Sequence, residues 1–235
     1  MNECLFFASL IFFLLAVVVL YRLFGCAGLY AYIGFATILA NIQVCKSIEL
    51  FGLSTTAGAV LYASTFLCTD ILSEKYGKKT AASAVWLGIG VNILWLAGTQ
   101  ITLLFNASAS DYIQPSLAVV FGMVPRITFA SLLAYVISQR VDVFLYHRIW
   151  QMTGNKNTGL WIRNNGSTMI SQLFDTVIFA SVAFLGTMPM NVFWQVLLTT
   201  YFFKVIIAAC DTPFIYLARN IQPKVQENVL PTEAA

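Results

Sequence analysis

Residues 5–21 of the chain read LFFASLIFFLLAVVVLY, a stretch without a single charged side chain. An α-helix rises about 1.5 Å per residue, and about 20 apolar residues cross the hydrocarbon core of a bilayer. This stretch therefore predicts a helix that lies in a membrane. It lacks the basic residues that precede the apolar part of a signal peptide, so we expect it to be retained as a first span.

The rest of the chain has the same character. Of its 235 residues, 59% are hydrophobic and 10% are charged, and the mean hydropathy is +0.80. Soluble domains carry about 25% charged residues, so the polar surface here is too small to cover a globule in water. The apolar runs are continuous, which favours helices over barrel strands, whose apolar residues alternate. We predict an all-α, polytopic membrane helix bundle that forms a single domain over residues 1–235.

Seven segments approach the length of a membrane span. They lie at residues 5–21, 25–45, 50–72, 80–104, 117–137, 168–188 and 192–217. The first two segments almost merge, but Gly25 and Gly28 follow Arg22 closely and favour a break there. The sequence therefore predicts about seven transmembrane helices.

The basic residues predict how these helices are oriented. If the N-terminus is outside, the inner side receives ten Lys and Arg residues and the outer side only Lys46. The ten are Arg22, Lys75, Lys78, Lys79, Arg140, Arg148, Lys156, Arg163, Arg219 and Lys224. Because cytoplasmic loops carry the excess of Lys and Arg, we expect the N-terminus outside and the C-terminus in the cytoplasm.

Two of the predicted helices carry the same polar motif, Ile-Ser-Gln-x-x-Asp, at residues 137–142 and 170–175. Residues three and four positions apart share one face of a helix, so each motif predicts a face made of serine, glutamine and aspartate. The two helices run in opposite directions. We expect both faces to lie in the cytoplasmic half of the membrane and to oppose each other across one polar cavity.

Ionisable residues inside a span cost several kcal/mol and are therefore candidates for function. They are Asp70, Glu74, Arg126, Asp142, Asp175, Lys204 and Asp211, of which Asp142 follows directly on its span. Bridging between helices is the alternative role for such residues, and Glu74 has the spacing to pair with Lys78. We expect Lys204 or Arg126 to balance the buried negative charge.

The residue types in these motifs indicate which ligands they suit. A carboxylate accepts two parallel hydrogen bonds from an N–H/NH₂ edge, and a glutamine amide both donates and accepts. Together with aromatic rings, such groups suit a planar, nitrogen-rich heterocycle, and they would also suit proton or cation coupling. The sequence offers no nucleophile–base set, no phosphate loop and no metal-ligand spacing. We expect a transporter without a cofactor or metal rather than an enzyme, and no nucleic-acid partner.

Five stretches resemble the queuosine-precursor transporter family, also called the vitamin uptake transporter family. They are ATILANIQV at 36–44, TDILSEKYGKKTA at 69–81, ASLLAYVISQRVDV at 130–143, LWIRNNGSTMISQLFDT at 160–176 and DTPFIYLARNI at 211–221. The resemblance implies a multi-pass importer of the bacterial inner membrane. Its substrates would be 7-deazaguanine bases such as preQ0, preQ1 or queuine, which supply the modified tRNA base queuosine. It also implies a six-helix core at about residues 25–220, with residues 5–21 as an additional helix.

The resemblance also carries over residues that match the motifs of the family. The substrate-binding candidates are Asp175, Gln172, Asp142, Gln139, Asp70, Glu74, Asn41, Arg163 and Lys204, and Tyr76 and Gly77 match as well. A 2-amino-4-oxo-pyrrolopyrimidine presents an N1–H/2-NH₂ edge, which we expect Asp175 and Gln172 to bind while Asp142 and Gln139 face them. Three alternatives stay open: a homodimer, a substrate-binding subunit energised by a separate ATPase module, and an intramembrane enzyme.

Overall fold

A computed structural model of the chain describes residues 1–153, 157–186 and 189–225. Its helices are α1 (Asn2–Gln43), α2 (Ala59–Tyr76), α3 (Lys78–Leu104), α4 (Gln114–Thr153), α5 (Asn157–Phe184) and α6 (Met190–Asn220); strands β1 (Ser47–Leu50) and β2 (Leu53–Thr56) precede α2. Within these described residues, five helices, α1 and α3 to α6, are long and apolar enough to cross a membrane. The predicted helical, polytopic class is confirmed at this level, whereas the number of spans and their orientation stay predictions.

Helix α1 folds back on itself at Gly25, where the sequence predicted a break. The backbone of Gly25 has φ +59° and ψ −136°, a conformation that glycine reaches easily because it has no Cβ. The hydroxyl of Tyr32 lies 3.5 Å from the backbone carbonyl oxygen of Phe13. These residues are 19 positions apart in the sequence, and an unbroken helix would separate them by about 28 Å along its axis. The two halves of α1, residues 2–24 and 26–43, therefore run in opposite directions and in contact.

The predicted span at 50–72 was wrong in its first part, which forms a β-hairpin. Strands β1 and β2 pair antiparallel around the two-residue turn Phe51–Gly52. Both turn residues have positive φ, +52° and +75°, and such a turn has the twist that joins two antiparallel strands. Helix α2 begins only at Ala59 and contains 18 residues. The apolar residues of the hairpin extend the hydrophobic run, and this made the helix look longer than it is.

Helix α4 extends well beyond the predicted span 117–137, and α5 begins well before the predicted span 168–188 but ends at Phe184. Helix α4 alone contains 40 residues, about 60 Å at 1.5 Å per residue. Asp142, expected after a span, and Arg163, expected in a cytoplasmic connection, both lie inside helices and are fully buried. Neither residue ends its helix, because each finds polar partners on neighbouring helices. Lys156, predicted on the inner side, lies outside the described residues.

The two ends of the bundle differ in their residues. At the hairpin end, the backbone N–H of Phe51 donates a hydrogen bond of 3.2 Å to Glu3. At the opposite end, here called the basic end, the N–H of Lys224 donates to the carbonyl oxygen of Arg22 at 2.8 Å. The ammonium group of Lys75 donates there to carbonyl oxygens at the end of α6. Three of the basic residues that the sequence assigned to one side of the membrane, Arg22, Lys75 and Lys224, thus lie at one end of the structure.

Candidate functional site

A pocket lies between the helices beside the β-hairpin. It holds about 640 Å³ of empty space, including the open space at its mouth, and all six helices and β2 contribute to its wall. Of the predicted site residues, Asn41, Asp175 and Lys204 line it. Its aromatic side chains include Tyr62 and Tyr135, whose ring centroids lie 6.1 Å apart in an edge-to-face arrangement. The pocket therefore combines one ion pair with aromatic surface.

Asp175 is the polar centre of this pocket. Its carboxylate forms a buried ion pair with Lys204 and accepts hydrogen bonds from Tyr62 at 2.5 Å and from Ser138 at 3.2 Å. The ammonium group of Lys204 also lies 5.2 Å from the centre of the Tyr62 ring. A carboxylate offers about four acceptor positions, so three donors leave Asp175 about one position for a ligand. The ion pair as a whole carries no net charge.

The counter-charge is Lys204 and not Arg126, which the sequence left as the other candidate. Arg126 is exposed on α4 and donates to the carbonyl oxygens of Val182 at 3.2 Å and Leu185 at 3.3 Å. Carbonyl groups in the last turn of a helix have no partner within the helix. Arg126 therefore caps the end of α5 and contributes nothing to the pocket.

The two repeated motifs bind each other reciprocally. Ser138 donates to Asp175 at 3.2 Å, and Ser171 donates to Asp142 at 2.9 Å. This exchange requires that α4 and α5 run antiparallel with the motifs face to face, as the sequence predicted. The motifs differ in surroundings, however, because Asp175 lines the pocket and Asp142 does not. The pocket also lies beside the hairpin, and not toward the basic end where the shared cavity was expected.

The two glutamines of the motifs also differ. Gln139 accepts a hydrogen bond from Thr69 at 3.2 Å and donates to Thr65 at 3.4 Å, both on α2. Gln172 is 1% exposed, and neither polar atom of its side chain has a hydrogen-bond partner among the described residues. The repetition in sequence is therefore only partly a repetition in structure.

A second polar layer lies deeper in the bundle, outside the wall of the pocket. The buried carboxyl groups of Asp70, Asp142 and Asp211 lie near one another there. Hydroxyl and amide groups of α5 bind them: Thr168 donates to Asp70 at 3.5 Å and Asn164 to Asp211 at 2.9 Å. These contacts join α2, α4, α5 and α6. Within residues 1–153, 157–186 and 189–225, no group of acidic, cysteine or histidine side chains is placed to hold a metal ion.

Glu74 lies at the basic end, away from the pocket. Its carboxylate, 5% exposed, binds the guanidinium groups of Arg163 at 2.7 Å and Arg219 at 3.1 Å, and it accepts a hydrogen bond from Tyr146 at 2.9 Å. The result is a polar junction of four helices, α2, α4, α5 and α6. The spacing that suggested a pair of Glu74 with Lys78 on one helix does not hold, because α2 ends at Tyr76 and Lys78 begins α3.

Sequence reasoning missed Asn92 on α3, which lines the pocket next to a residue that it did select. The amide nitrogen of Asn41 donates to the side-chain oxygen of Asn92 at 2.7 Å and to the carbonyl oxygen of Thr37 at 2.8 Å. Asn92 stands in the apolar run GIGVNILW at 88–95. An uncharged amide inside a predicted span is the signal that distinguishes Asn92, since this residue carries no charge and lies outside the repeated motif.

Comparisons with known proteins identify relatives of the chain. The family described as "Putative vitamin uptake transporter" matches residues 56–218. A protein of Bacillus subtilis (strain 168) named "Probable queuosine precursor transporter" is 42% identical over 222 residues, 94% of this chain and 96% of the relative. The "Queuosine precursor transporter" of Escherichia coli (strain K12) is 27% identical over 172 residues, 72% of this chain and 74% of the relative. No solved structure matches the chain.

These matches agree with the sequence and the fold. The relatives are named as transporters, as expected for a chain that was predicted not to be an enzyme. The five long apolar helices and these relatives together establish a multi-pass protein of the bacterial inner membrane. The matched residues cover more than half of the chain, and the resemblance noted in the sequence motifs is confirmed. The chain belongs to the vitamin uptake transporter family.

Proposed function

We propose that the chain imports queuosine precursors, and that its substrates are 7-deazaguanine bases such as preQ0, preQ1 or queuine. The names of the relatives supply the substrate class. The observation that carries the proposal is the pocket, in which the Asp175–Lys204 ion pair lies beside the rings of Tyr62 and Tyr135. Pockets for small planar ligands combine apolar and aromatic walls with a few placed polar groups.

Within this pocket, we assign the substrate contacts to Asn41, Asp175 and Lys204. Asp175 would accept one N–H of the base at its remaining position, while its ion pair with Lys204 holds the carboxylate in place. The contacts predicted for Gln172, Asp142, Gln139, Asp70, Glu74 and Arg163 stay predictions. Each of these except Gln172 has helix-bridging partners that give it a structural role without a ligand.

The proposed topology has seven spans, with the two halves of α1 counted separately, the N-terminus outside and the C-terminus in the cytoplasm. The ten basic residues assigned to the inner side support this orientation. The hairpin would then face the outside, and the pocket beside it would lie nearer the outer face. This position suits an importer in the state that receives its substrate.

Uptake by a queuosine-deficient strain that depends on an external precursor would test the function. Expression of this chain alone should restore queuosine in tRNA when preQ0, preQ1 or queuine is supplied. Asp175→Asn should abolish or strongly reduce this gain at equal membrane abundance, and Asp142→Asn is the matched comparison outside the pocket. Absence of any gain with the intact chain would contradict the proposal. Rescue only after addition of an ATPase module would favour the alternative, a substrate-binding subunit.

A further inference from the structure

We infer that Asn41 and Asn92 together bind the lactam edge of the transported base, which consists of a ring N–H and the adjacent oxo group. The inference rests on the proposed function and extends it, because it assigns the residues that distinguish an oxo base from an amino base. Both side chains line the pocket and are buried, with 7% and 3% exposure. One comes from α1 and the other from α3.

Hydrogen bonds fix the orientation of the Asn41 amide. Its nitrogen donates to the carbonyl oxygen of Thr37 and to the side-chain oxygen of Asn92. A carbonyl oxygen only accepts, so the nitrogen and oxygen of this amide cannot exchange places without losing the bond to Thr37. Both N–H groups of the Asn41 amide are therefore used, and the acceptor is what remains.

That remaining acceptor has no partner. The Oδ1 atom of Asn41 is buried and makes no hydrogen bond to any described residue. Buried polar atoms are nearly always hydrogen-bonded, and an orphan in a native structure requires an explanation. Asn41 belongs to the wall of the pocket, so a ligand N–H supplies the missing partner without a change in the fold.

Asn92 provides the complementary group. Its side-chain oxygen accepts from Asn41, and its Nδ2 group donates to no residue in the described part of the chain. The hydrogen-bonded pair therefore offers one acceptor, on Asn41, and one donor, on Asn92. A lactam presents the opposite pattern, an N–H donor next to an oxo acceptor, and an amide pair of this kind matches it group for group. An amino base presents a ring acceptor and an amino donor on this edge, which places donor against donor and acceptor against acceptor.

The test compares two bases that differ only on this edge, 7-deazaguanine and 2,4-diaminopyrrolo[2,3-d]pyrimidine, and measures the binding of each to the purified full-length protein. The intact protein should bind the oxo base about ten- to a hundredfold more tightly. Asn41→Ala and Asn92→Ala should each reduce this ratio of affinities toward one. Thr99→Val is the control, because it removes a buried hydroxyl of α3 that binds its own helix and does not line the pocket; it should keep the ratio.

Each outcome bears on the inference. Equal binding of the two bases by the intact protein overturns the inference. This comparison needs no variant, so the inference can be tested even if the asparagine variants do not fold. A ratio that stays unchanged in both folded asparagine variants also overturns it and leaves the pair as a bridge between α1 and α3. Binding of neither base by the intact, folded protein overturns the proposed function together with this inference.

Discussion

The hydroxyl group of Ser171 donates a hydrogen bond of 2.9 Å to the carboxylate of Asp142. The reciprocal pair, Ser138 of the first motif and Asp175 of the second, makes the same contact at 3.2 Å. The two bonds are equivalent in sequence and in direction, and they lie in different surroundings, because Asp175 lines the pocket and Asp142 lies in the polar layer below it. Both copies of the motif therefore hold α4 and α5 together, but only the copy on α5 also supplies an aspartate to the pocket.

This difference predicts unequal effects of two matched substitutions. Ser138→Ala and Ser171→Ala should each lower the free energy of unfolding by about 1–3 kcal/mol, since each leaves a buried acceptor with one donor fewer. Only Ser138→Ala should also weaken binding of the base, by about 1 kcal/mol or fivefold in affinity, because Asp175 loses a group that positions it. Denaturant titration of the purified variants measures the free energy of unfolding, and ligand titration measures the affinity for the base. Equal loss of affinity in the two variants would contradict the division between the motifs.

The pairing of the motifs was predictable from sequence, and the position of the pocket was not. Helical spacing placed serine, glutamine and aspartate on one face, and antiparallel neighbours then had to bring the two faces together. Nothing in the sequence showed that α4 continues past residue 137 or that Arg163 is buried inside α5. A polar residue was taken to end a span, but partners on neighbouring helices make it compatible with a helix interior.

The hairpin and Asn92 were missed for two further physical reasons. Apolar residues of β1 and β2 continue the hydrophobic run of α2, and a short apolar segment fits a strand or a helix equally well. The signal that the sequence did offer for a turn was Gly52, which stands between the two apolar segments. Asn92 carries no charge and belongs to no repeated motif, so neither the cost of a buried charge nor repetition indicated a function for it.

The ion pair between Asp175 and Lys204 should be detectable as a coupling energy. Removal of one partner from a buried pair leaves a charge without compensation, at a cost of about 3–5 kcal/mol. Asp175→Asn and Lys204→Met should therefore each destabilise the protein strongly, and the double variant should be more stable than the sum of the two losses predicts. Thermal unfolding of the intact protein, the two single variants and the double variant in the same detergent measures the four stabilities. Strict additivity would mean that the pair contributes nothing to stability.

Glu74 should be required for stability and not for substrate affinity. Glu74→Gln weakens the contacts to Arg163 and Arg219, and breaking a buried ion pair costs about 3 kcal/mol or more. The same substitution at the exposed residue Glu49 is the control, for which a change below about 0.5 kcal/mol is expected. Membrane abundance and thermal unfolding measure the first effect, and the dissociation constant per folded molecule measures the second. A loss of affinity in a stable Glu74→Gln protein would support the sequence-based prediction that Glu74 contacts the substrate.

Two glycines of α1 should tolerate no side chain. Gly25→Ala forces a residue with a Cβ into positive φ, which costs about 1–3 kcal/mol. Gly28→Ala would place a Cβ 2.4 Å from the carbonyl oxygen of Leu20, a backbone atom that cannot move aside. Gly98→Ala is the control, because a Cβ there meets nothing within 4 Å, and the change should stabilise α3 by about 0.5–1 kcal/mol. Equal effects of all three on thermal unfolding would refute the folded-back geometry of α1.

The proposed orientation predicts which positions react from outside the cell. In a variant without the five native cysteines, Asp111→Cys in the α3–α4 loop should react with a membrane-impermeant thiol reagent on intact cells. Lys78→Cys should react only after permeabilisation, because Lys78 begins α3 where α2 ends and belongs to the basic residues assigned to the inner side. Both side chains are exposed, so a difference between them reports the side of the membrane and not burial. The reverse pattern would invert the topology and place the hairpin and the adjacent pocket toward the cytoplasm.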